Sequence, residues 1–392
     1  MHLTRAAQPL NRDSTIRNYN VGPLGLVLSG GGSRTAYQVG ALKALAKVID
    51  QENDRLSIIV GSSIGAVNTV VLANCIQYGL GAAVEELHNL WRERTFRNTF
   101  EGSPSRTFLK AIQVALLRYS SPGPIATSLA IFNPAPLRER IDQALSSFQQ
   151  SALAPNGARP DAAAVMVTVE GKERRPLLLV SSKDKIDPER FTGVNFSVSY
   201  IPTLTAAHGL ASAALPSVLP PVELNVEAGQ VRLVDGGICD NVPVDPAVRL
   251  GAERVITIDA SGRRWWFDHY QEPHDTRPDW EVAALEQTYC MFPTATFELV
   301  NSHGLGKVLE QTAGRSTRDF ITALGPTWPI FKILQHKMGS MLAYEVMSYV
   351  ALHPGYFEAL LDLGYQETMT KLEKGYPVSV DNYVPAPGQS VG

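Results

Sequence analysis

The chain has 392 residues, of which 44% are hydrophobic and 19% are charged. This balance allows a sizeable buried core and excludes wholesale disorder. The formal net charge of -3 excludes a strong positive field that would collect phosphates, so we expect no nucleic-acid partner. The three cysteines, Cys75, Cys239 and Cys290, form no CxxC pair, which argues against a disulfide framework and against a zinc site.

Residues 1–22 are interpreted as a flexible leader. Arg5, Arg12 and Arg17 are scattered through it, and no apolar stretch follows them, so we predict no secretory signal peptide. No segment reaches the roughly 18 apolar residues that a transmembrane helix requires. We therefore expect a protein that is cytoplasmic or peripheral to a membrane, with export by a route without a signal peptide left open.

Two successive units of strand, glycine-containing turn and helix follow the leader. In the first unit, the apolar run 25–28 precedes a helical spacing of apolar residues over 33–49. In the second unit, the β-branched run 56–60 precedes a small-residue apolar helix over 66–76. This order is typical of a parallel sheet covered by helices, and it predicts an α/β fold.

The remaining chain is predicted as follows. Residues 96–135 form an irregular insertion between core elements, with one amphipathic helix near 108–118, and we interpret it as a candidate cap or lid. Helical patterns dominate residues 263–376, and residues 377–392 are predicted to be a disordered tail. The other expected elements are helices near 82–95, 136–148 and 205–214, strands near 164–169, 177–181, 222–226, 230–234 and 254–258, and helices near 282–289, 296–312 and 330–349.

A G-x-S-x-G pattern lies between the second predicted strand and its helix. A serine nucleophile needs a sharp turn of this kind, which exposes the hydroxyl at a helix N-terminus and tolerates only small neighbours. The segment Gly61-Ser62-Ser63-Ile64-Gly65 therefore predicts Ser63 as a nucleophile, with Gly61 and Gly65 forming the elbow. An ordinary turn is the alternative, and Ser62, which is not at the motif centre, is interpreted as a candidate helix cap.

A glycine-rich segment, Gly30-Gly31-Gly32-Ser33-Arg34, follows the first strand. Consecutive N–H groups at the start of a helix can converge on one anion, either a phosphate or the oxyanion of a tetrahedral intermediate. A nucleotide site is disfavoured, because no Lys-Ser or Lys-Thr follows and Thr35 replaces the last glycine of a dinucleotide motif. We predict an oxyanion hole over Gly30, Gly31, Gly32, Ser33 and Arg34, with Arg34 either adding charge or fixing the loop through a salt bridge.

The serine needs a base, because its free hydroxyl is a weak nucleophile. No histidine falls at a predicted strand end of the parallel sheet, and His303 and His353 are the best candidates for a catalytic triad. Asp235, in the segment Asp235-Gly236-Gly237 at the end of a strand, is the favoured base, since an aspartate there can accept the serine proton directly. A turn aspartate is the alternative, and Asp240, Asp245 and Asp259 are interpreted as structural.

The three motifs, in this order, resemble those of the patatin-like phospholipase family. The pattern Ala211-Ser212-Ala213-Ala214-Leu215-Pro216 before Asp235, together with Pro220-Pro221, is also similar, as is Asn241-Val242-Pro243 after it. The resemblance covers about residues 22–262. The chain departs from the family at Thr35, where a glycine usually follows the arginine of the first motif.

The resemblance implies a three-layer α/β/α fold with a mostly parallel central sheet and a catalytic domain over 23–262. The helical pattern over 263–376 lies outside the resemblance, and we interpret it as a C-terminal helical extension that packs on the core or acts as an accessory lid. It further implies a serine lipid acyl hydrolase of phospholipase A or lysophospholipase type. Ser63 and Asp235 would form a dyad without histidine, supported by Gly236 and Gly237, and no metal or cofactor would be needed. The expected partner is a lipid substrate at a membrane or micelle surface.

Two other functions stay open at this point. One is an esterase of the α/β-hydrolase type with a Ser-His-Asp triad, which requires an essential histidine in the later half of the chain. The other is a lipid-binding module that keeps the fold without catalysis, against which the presence of both Ser63 and Asp235 argues. Substitution of the histidines would separate the first from the dyad, and labelling of Ser63 by a fluorophosphonate would separate the second.

Overall fold

The structure of the chain is a computed structural model. It describes most of the predicted catalytic domain, which carries the three motifs, and most of the C-terminal helical segment. The predicted leader and tail, His303 and Cys290 lie outside the described residues. The described residues are 22–51, 54–102, 107, 109, 110, 113, 130–150, 155, 157–171, 174–262, 295–300 and 304–373.

One nine-stranded sheet forms the centre of the described part of the chain. Its main path runs in the order β5-β4-β3-β2-β1-β8-β9, and β7 joins from the side between β3 and β6. The strands are β1 Leu24–Leu28, β2 Leu56–Ser62, β3 Ala162–Val169, β4 Arg175–Ser182, β5 Ser197–Tyr200, β6 Val222–Val226, β7 Gly229–Val234, β8 Arg254–Asp259 and β9 Ala295–Val300.

The middle of the sheet is parallel. β1 pairs in parallel with β2 on one side and with β8 on the other, and β2 pairs in parallel with β3. Antiparallel pairing occurs where β3 meets β4 and β7, and where β6 meets β7. Every residue of β1 and β2 is buried, which explains why both read as continuous apolar runs rather than as alternating patterns.

Helices cover the sheet and form the C-terminal part of the described chain. In the sheet domain they are α1 Ala36–Gln51, α2 Ile64–Cys75, α3 Leu80–Arg92, α4 Phe96–Thr99, α5 Ala135–Gln150, α6 Ala206–Ser212 and α7 Val244–Arg249; the C-terminal helices are α8 Leu305–Gln311, α9 Thr317–Leu324, α10 Trp328–Met338, α11 Ser340–Met347 and α12 Pro354–Leu372.

The two faces of the sheet belong to two separate hydrophobic cores. Along β1, Leu26 belongs to the larger core, together with side chains of α1, α2, α3 and α12. The neighbouring Val27 points to the smaller core, which contains Val248 of α7 and Phe196. Side chains alternate between the faces of a strand, so each face acquires its own covering layer. The predicted three-layer α/β/α arrangement with a mostly parallel central sheet is confirmed.

The C-terminal helices pack directly on the sheet domain. α12 lies against α1, and the two helices approach most closely at Gly40 and Gly364. A side chain on Gly40 would overlap the carbonyl oxygen of Leu361, and one on Gly364 would overlap that of Tyr37. Glycine at both contact points therefore lets the two backbones touch, and the extension is tied to the helix that follows the glycine-rich loop.

One expectation for the extension is wrong. Residues 296–312 read as one helix, but Ala295–Val300 is a strand that adds to the sheet in parallel beside β8. A helix begins only at Leu305, after Gly304 in a positive-φ conformation. The sequence ATFELV is rich in strand-favouring residues, yet so short a run cannot be assigned from periodicity alone.

The insertion over residues 96–135 is described mainly at its two ends. The helix Phe96–Thr99 begins it, and residues 130–135 lead from it into α5. The ring centroids of Phe100 and Phe132 lie 4.5 Å apart, and each ring is 5.9 Å from that of Phe96. The two ends therefore meet in an aromatic cluster, while the predicted lid helix near 108–118 lies mostly outside the described residues. No helix among the described residues is long and apolar enough to cross a bilayer.

Candidate active site

Ser63 occupies a strained turn between β2 and α2. Its backbone has φ 51 and ψ -132, a conformation that residues with a side chain rarely adopt. The turn is so tight that a side chain on Gly65 would overlap the carbonyl oxygen of Ser29. The Ser62 hydroxyl turns away and donates to the carbonyl oxygen of Asp240 at 2.6 Å, so Ser63 carries the exposed hydroxyl of this turn.

Asp235 meets Ser63 at the end of β7. The Ser63 Oγ donates a hydrogen bond of 2.7 Å to Oδ2 of Asp235. The other carboxylate oxygen, Oδ1, accepts a 2.7 Å hydrogen bond from the N–H of Gly237. Thr168 on β3 donates to the Asp235 carbonyl oxygen at 2.8 Å, and the aspartate is only 5% exposed. The carboxylate is therefore held by hydrogen bonds from Ser63 and Gly237, while Thr168 fixes the backbone of Asp235.

Burial governs the charge of this carboxyl group. It raises the pKa of Asp235 from the ordinary value of 3.8 to about 6, while the hydrogen bonds from Ser63 and Gly237 oppose the rise. A carboxylate with a pKa near 6 is a stronger base than a solvated aspartate, yet it is mostly ionised at neutral pH. The pair is arranged for a proton to move from Oγ to Oδ2.

The glycine-rich loop reaches the same point from the end of β1, but only part of it has free N–H groups. The N–H of Gly30 donates to the carbonyl oxygen of Asn241, that of Ser33 to Tyr349, and that of Arg34 to Gly31. These three N–H groups already have acceptors, so they are not available to an oxyanion. Fewer residues than predicted can therefore contribute to the oxyanion hole. Among the described residues, the N–H groups of Gly31 and Gly32 have no acceptor, and both glycines line the cavity beside Ser63.

Arg34 fixes the loop through a salt bridge. Its guanidinium is fully buried and lies 2.6 Å from Glu345 Oε1 on α11. It also donates to the Ser348 hydroxyl at 2.7 Å and lies 3.7 Å from the centre of the Tyr349 ring. The guanidinium also donates to the carbonyl oxygen of Ser261 at 3.3 Å. All its other partners belong to the extension, so residues far beyond the three motifs hold the loop in place.

The alternative acids and the histidines lie elsewhere. Asp240 accepts from the N–H of Val242, Asp245 pairs with Arg249 one turn along α7, and Asp259 accepts from the N–H of Ser261. His353 directly precedes α12 without a capping hydrogen bond from its side chain, and its Nδ1 is buried without a hydrogen-bond partner. None of the histidines that the structure describes lines the cavity beside Ser63.

A cavity of about 750 Å³ opens in front of the pair. Its volume lies within the usual range of small-molecule sites, and its wall is largely apolar. The extension contributes Tyr349, Val350 and Leu352 to this wall. Within the described part of the chain, acidic, histidine and cysteine side chains form no group of three that suits a metal ion. The apolar lining residues include Ile64, Trp91, Phe96, Phe100, Phe132, Leu137, Ala213, Leu215, Val218 and Leu219.

Several residues that support the site were missed in the sequence. Thr168 gave no signal, because it is one polar residue within an apolar strand. Glu345 and Arg94 gave none, since their burial follows from contacts that are distant in sequence. Asn241 carried a signal, because it lies in the Asn-Val-Pro pattern, and its carbonyl oxygen anchors the glycine-rich loop at Gly30.

A family model described as patatin-like phospholipase matches residues 26–248. The chain belongs to this family, whose members are lipid acyl hydrolases, and the resemblance inferred from the motifs is confirmed. A search among curated proteins finds no match.

Solved structures with a similar fold include human GIVD cytosolic phospholipase A2, at 13% identity and a TM-score of 0.44 over 93% of this chain and 63% of that chain. VipD from Legionella pneumophila is similar at 14% identity and a TM-score of 0.30, over 91% of this chain and 67% of that chain. The chain thus spans less than two thirds of the human protein's length.

Proposed function

We propose that the protein hydrolyses fatty-acyl esters of phospholipids or lysophospholipids with Ser63 as the nucleophile and Asp235 as its base. The observation that carries the proposal is the 2.7 Å hydrogen bond from Ser63 Oγ to the buried Asp235 carboxylate, at the edge of a large apolar cavity. Membership of the patatin-like phospholipase family supports the choice of lipid esters.

The reaction proceeds in two halves. In the first, Ser63 Oγ attacks the ester carbonyl carbon while its proton passes to Asp235 Oδ2, and the intermediate then expels the alcohol, which takes that proton. In the second, Asp235 removes a proton from water, which attacks the acyl-serine and releases the fatty acid as Ser63 regains its proton. Each half begins and ends with the same protonation of Asp235.

Gly31 and Gly32 supply the oxyanion hole. Their N–H groups are the ones in the loop without an acceptor among the described residues, and they lie at the start of a turn that leads into α1. Fixed donors of this kind stabilise the charge that develops on the carbonyl oxygen, because they need no reorganisation during the reaction. The N–H groups of Gly30, Ser33 and Arg34 hold the shape of the loop instead.

Contact with a lipid surface is supported by the outer side of α10 and α11. Ile333 is 56% exposed and Met341 is 59% exposed, and Ile330 and Met338 are also exposed. The sequence of α10, WPIFKILQHKM, contains two lysines and no acidic residue. Apolar side chains interspersed with basic ones suit the interface of a bilayer that carries anionic lipids.

Fatty-acid release tests the proposed function. Wild type, Ser63→Ala and Asp235→Asn are incubated with mixed phospholipid, lysophospholipid and triacylglycerol vesicles, and released fatty acids are measured by mass spectrometry. Release by the wild type alone is the expected result. A wild type that neither releases fatty acid nor reacts with a fluorophosphonate at Ser63 would favour the non-catalytic lipid-binding module.

The pH dependence of activity is expected to follow Asp235. Because its pKa is raised to about 6, kcat/KM should rise with pH through a single ionisation near pH 6 and stay level above it. The measurement uses a short-chain ester whose own charge does not change over this range. A profile that still rises between pH 7 and 8 would instead indicate a base of the histidine type.

The ionisation of Asp235 should also make the stability of the folded protein depend on pH. A folded-state pKa above the ordinary value means that the folded protein binds the proton more tightly, so its stability falls as pH rises from about 4 to 6. Asp235→Asn removes this ionisation, and its Tm should exceed that of the wild type at pH 8 but not near pH 4. A Tm difference that is the same at both pH values would contradict this account.

The lipid contact is expected to depend on Ile333. Ile333→Asp should lower fatty-acid release from anionic vesicles about tenfold, since it removes one aliphatic side chain from the interface and adds a like charge. Hydrolysis of a soluble short-chain ester should be unchanged. The control is Gln366→Asp, which adds the same charge on the exposed side of α12. Equal loss in both variants would contradict a specific surface.

A further inference from the structure

Arg94 is a buried cation that the proposed chemistry does not use. It follows α3 directly and is only 2% exposed. Its Nε is buried without a hydrogen-bond partner, and no acidic residue among those described forms an ion pair with its guanidinium. Arg34, which is equally buried, has a carboxylate, a hydroxyl and two carbonyl oxygens as partners.

The surroundings of Arg94 hold the side chain in place without neutralising it. The guanidinium lies 4.2 Å from the centre of the Trp91 ring. That ring is fixed in turn, because its Nε1 donates to Asn68 at 2.8 Å and it makes a T-shaped contact with the Phe357 ring. A buried guanidinium with an aromatic partner and no acceptor for its Nε–H is costly, since that donor has lost water without gaining a hydrogen bond.

Among the described residues, no counter-charge acts on Arg94 either. Burial and, after it, the like charge of Arg140 on α5 together lower the pKa of Arg94 to about 9. The group therefore remains positive at neutral pH. Among the described residues that line the cavity, the acidic one is Asp235, which hydrogen-bonds Ser63 and Gly237 rather than Arg94.

Arg94 lines the same cavity as Ser63 and Asp235. We propose that the guanidinium of Arg94 binds the phosphodiester of a phospholipid or lysophospholipid whose ester lies at Ser63, and so selects phospholipids over neutral glycerides. This inference rests on the proposed function, which it deepens by naming the group that is recognised. A phosphate oxygen provides the acceptor and the negative charge that Arg94 does not receive from the described residues, and arginine binds phosphate through paired N–H groups.

The activity test compares two substrates with one acyl chain. Arg94→Met should lower kcat/KM for lysophosphatidylcholine about 10- to 100-fold, the usual weight of a charge-assisted hydrogen bond, and leave that for the matching monoacylglycerol unchanged. Arg94→Lys keeps the charge and should lose less. The control is Arg92→Met, at the exposed last residue of α3, which should change the kcat/KM of neither substrate. Equal loss on both substrates would overturn the proposal.

A binding test separates this proposal from the proposed function. The Ser63→Ala variant, with and without Arg94→Met, is titrated with dodecylphosphocholine, dodecyl maltoside and inorganic phosphate. Both detergents are kept below their critical micelle concentrations. Arg94→Met should weaken dodecylphosphocholine binding about 10- to 100-fold and spare dodecyl maltoside. Binding of inorganic phosphate as tight as that of dodecylphosphocholine would assign the site to free phosphate and overturn the proposal. If no lipid is hydrolysed by the wild type, this comparison still decides the role of Arg94.

Stability gives a third readout. A structural role for Arg94 predicts that Arg94→Met lowers the Tm. A binding role predicts that the unliganded variant is at least as stable as the wild type, because a buried charge without a partner is replaced by an apolar side chain of similar length. A clear fall in the Tm of the unliganded variant would overturn the proposal.

Discussion

Replacing Ser63 with alanine is expected to lower fatty-acid release by about 10⁴- to 10⁶-fold, the range seen when a serine nucleophile is removed. The reason is that, in the proposed reaction, this hydroxyl forms the covalent bond to the acyl group, and its hydrogen bond of 2.7 Å to Asp235 aligns it with the proposed base. The measurement is release of fatty acid from lysophospholipid, followed by mass spectrometry at pH 8, where Asp235 is ionised.

A second substitution at the same position serves as the control for folding. Ser63 has φ 51, a backbone conformation that costs a residue with a Cβ about 1–3 kcal/mol and costs glycine little. Ser63→Gly should therefore be as inactive as Ser63→Ala but unfold at a higher temperature. Residual activity in both folded variants above one hundredth of the wild type would show that another residue is the nucleophile.

Removing Glu345 is expected to destabilise the protein by about 3–5 kcal/mol, the usual effect of leaving one partner of a buried ion pair without the other. Glu345→Ala leaves the fully buried Arg34 without its carboxylate. It also leaves the N–H of Gly306 without its acceptor, because Glu345 Oε2 accepts that hydrogen bond at 2.8 Å. Urea-induced unfolding at pH 7 measures the change.

The matched control is Glu85→Ala. Glu85 also pairs with a basic residue, Lys43, but both side chains are about half exposed, so the change should be below about 1 kcal/mol. Activity gives a second comparison, since Glu345 holds Arg34 and thereby the glycine-rich loop. Glu345→Ala should lose turnover even at temperatures where it is folded, whereas Glu85→Ala should not. Equal stability of the two variants would contradict the role assigned to Glu345.

The extension belongs to the site although the family match ends at residue 248. Tyr349 accepts the hydrogen bond from the Ser33 N–H at 2.8 Å, and Val350 and Leu352 line the cavity. The sequence led to the interpretation of this segment as helical packing or an accessory lid outside the resemblance. In the structure it forms a fixed wall of the cavity.

The sequence was sufficient for the parts of the site that are local. Strand, turn and helix follow one another within a few residues around Gly31 and around Ser63, so propensity and pattern reveal them. Their meeting was also predictable, because β1 and β2 are consecutive parallel strands and their carboxyl ends lie at one edge of the sheet. The Asp-Gly-Gly motif could be recognised in the sequence, whereas its distance from Ser63 could not be predicted.

The tertiary structure alone decided which partners these residues have. β7 lies beside Ser63 only because it pairs with the end of β3. That register brings Asp235, which follows Ser63 by 172 positions in the chain, to 2.7 Å from the serine hydroxyl. Tertiary packing likewise places Glu345 beside Arg34, leaves Arg94 without an acidic partner among the described residues, and adds β9 to the sheet. Burial and charge compensation depend on neighbours that are distant in sequence, and a short run such as ATFELV becomes a strand when a sheet edge is available. Local pattern specifies the chemistry that a residue can perform, and packing determines whether its partner is a protein group or is left for a ligand.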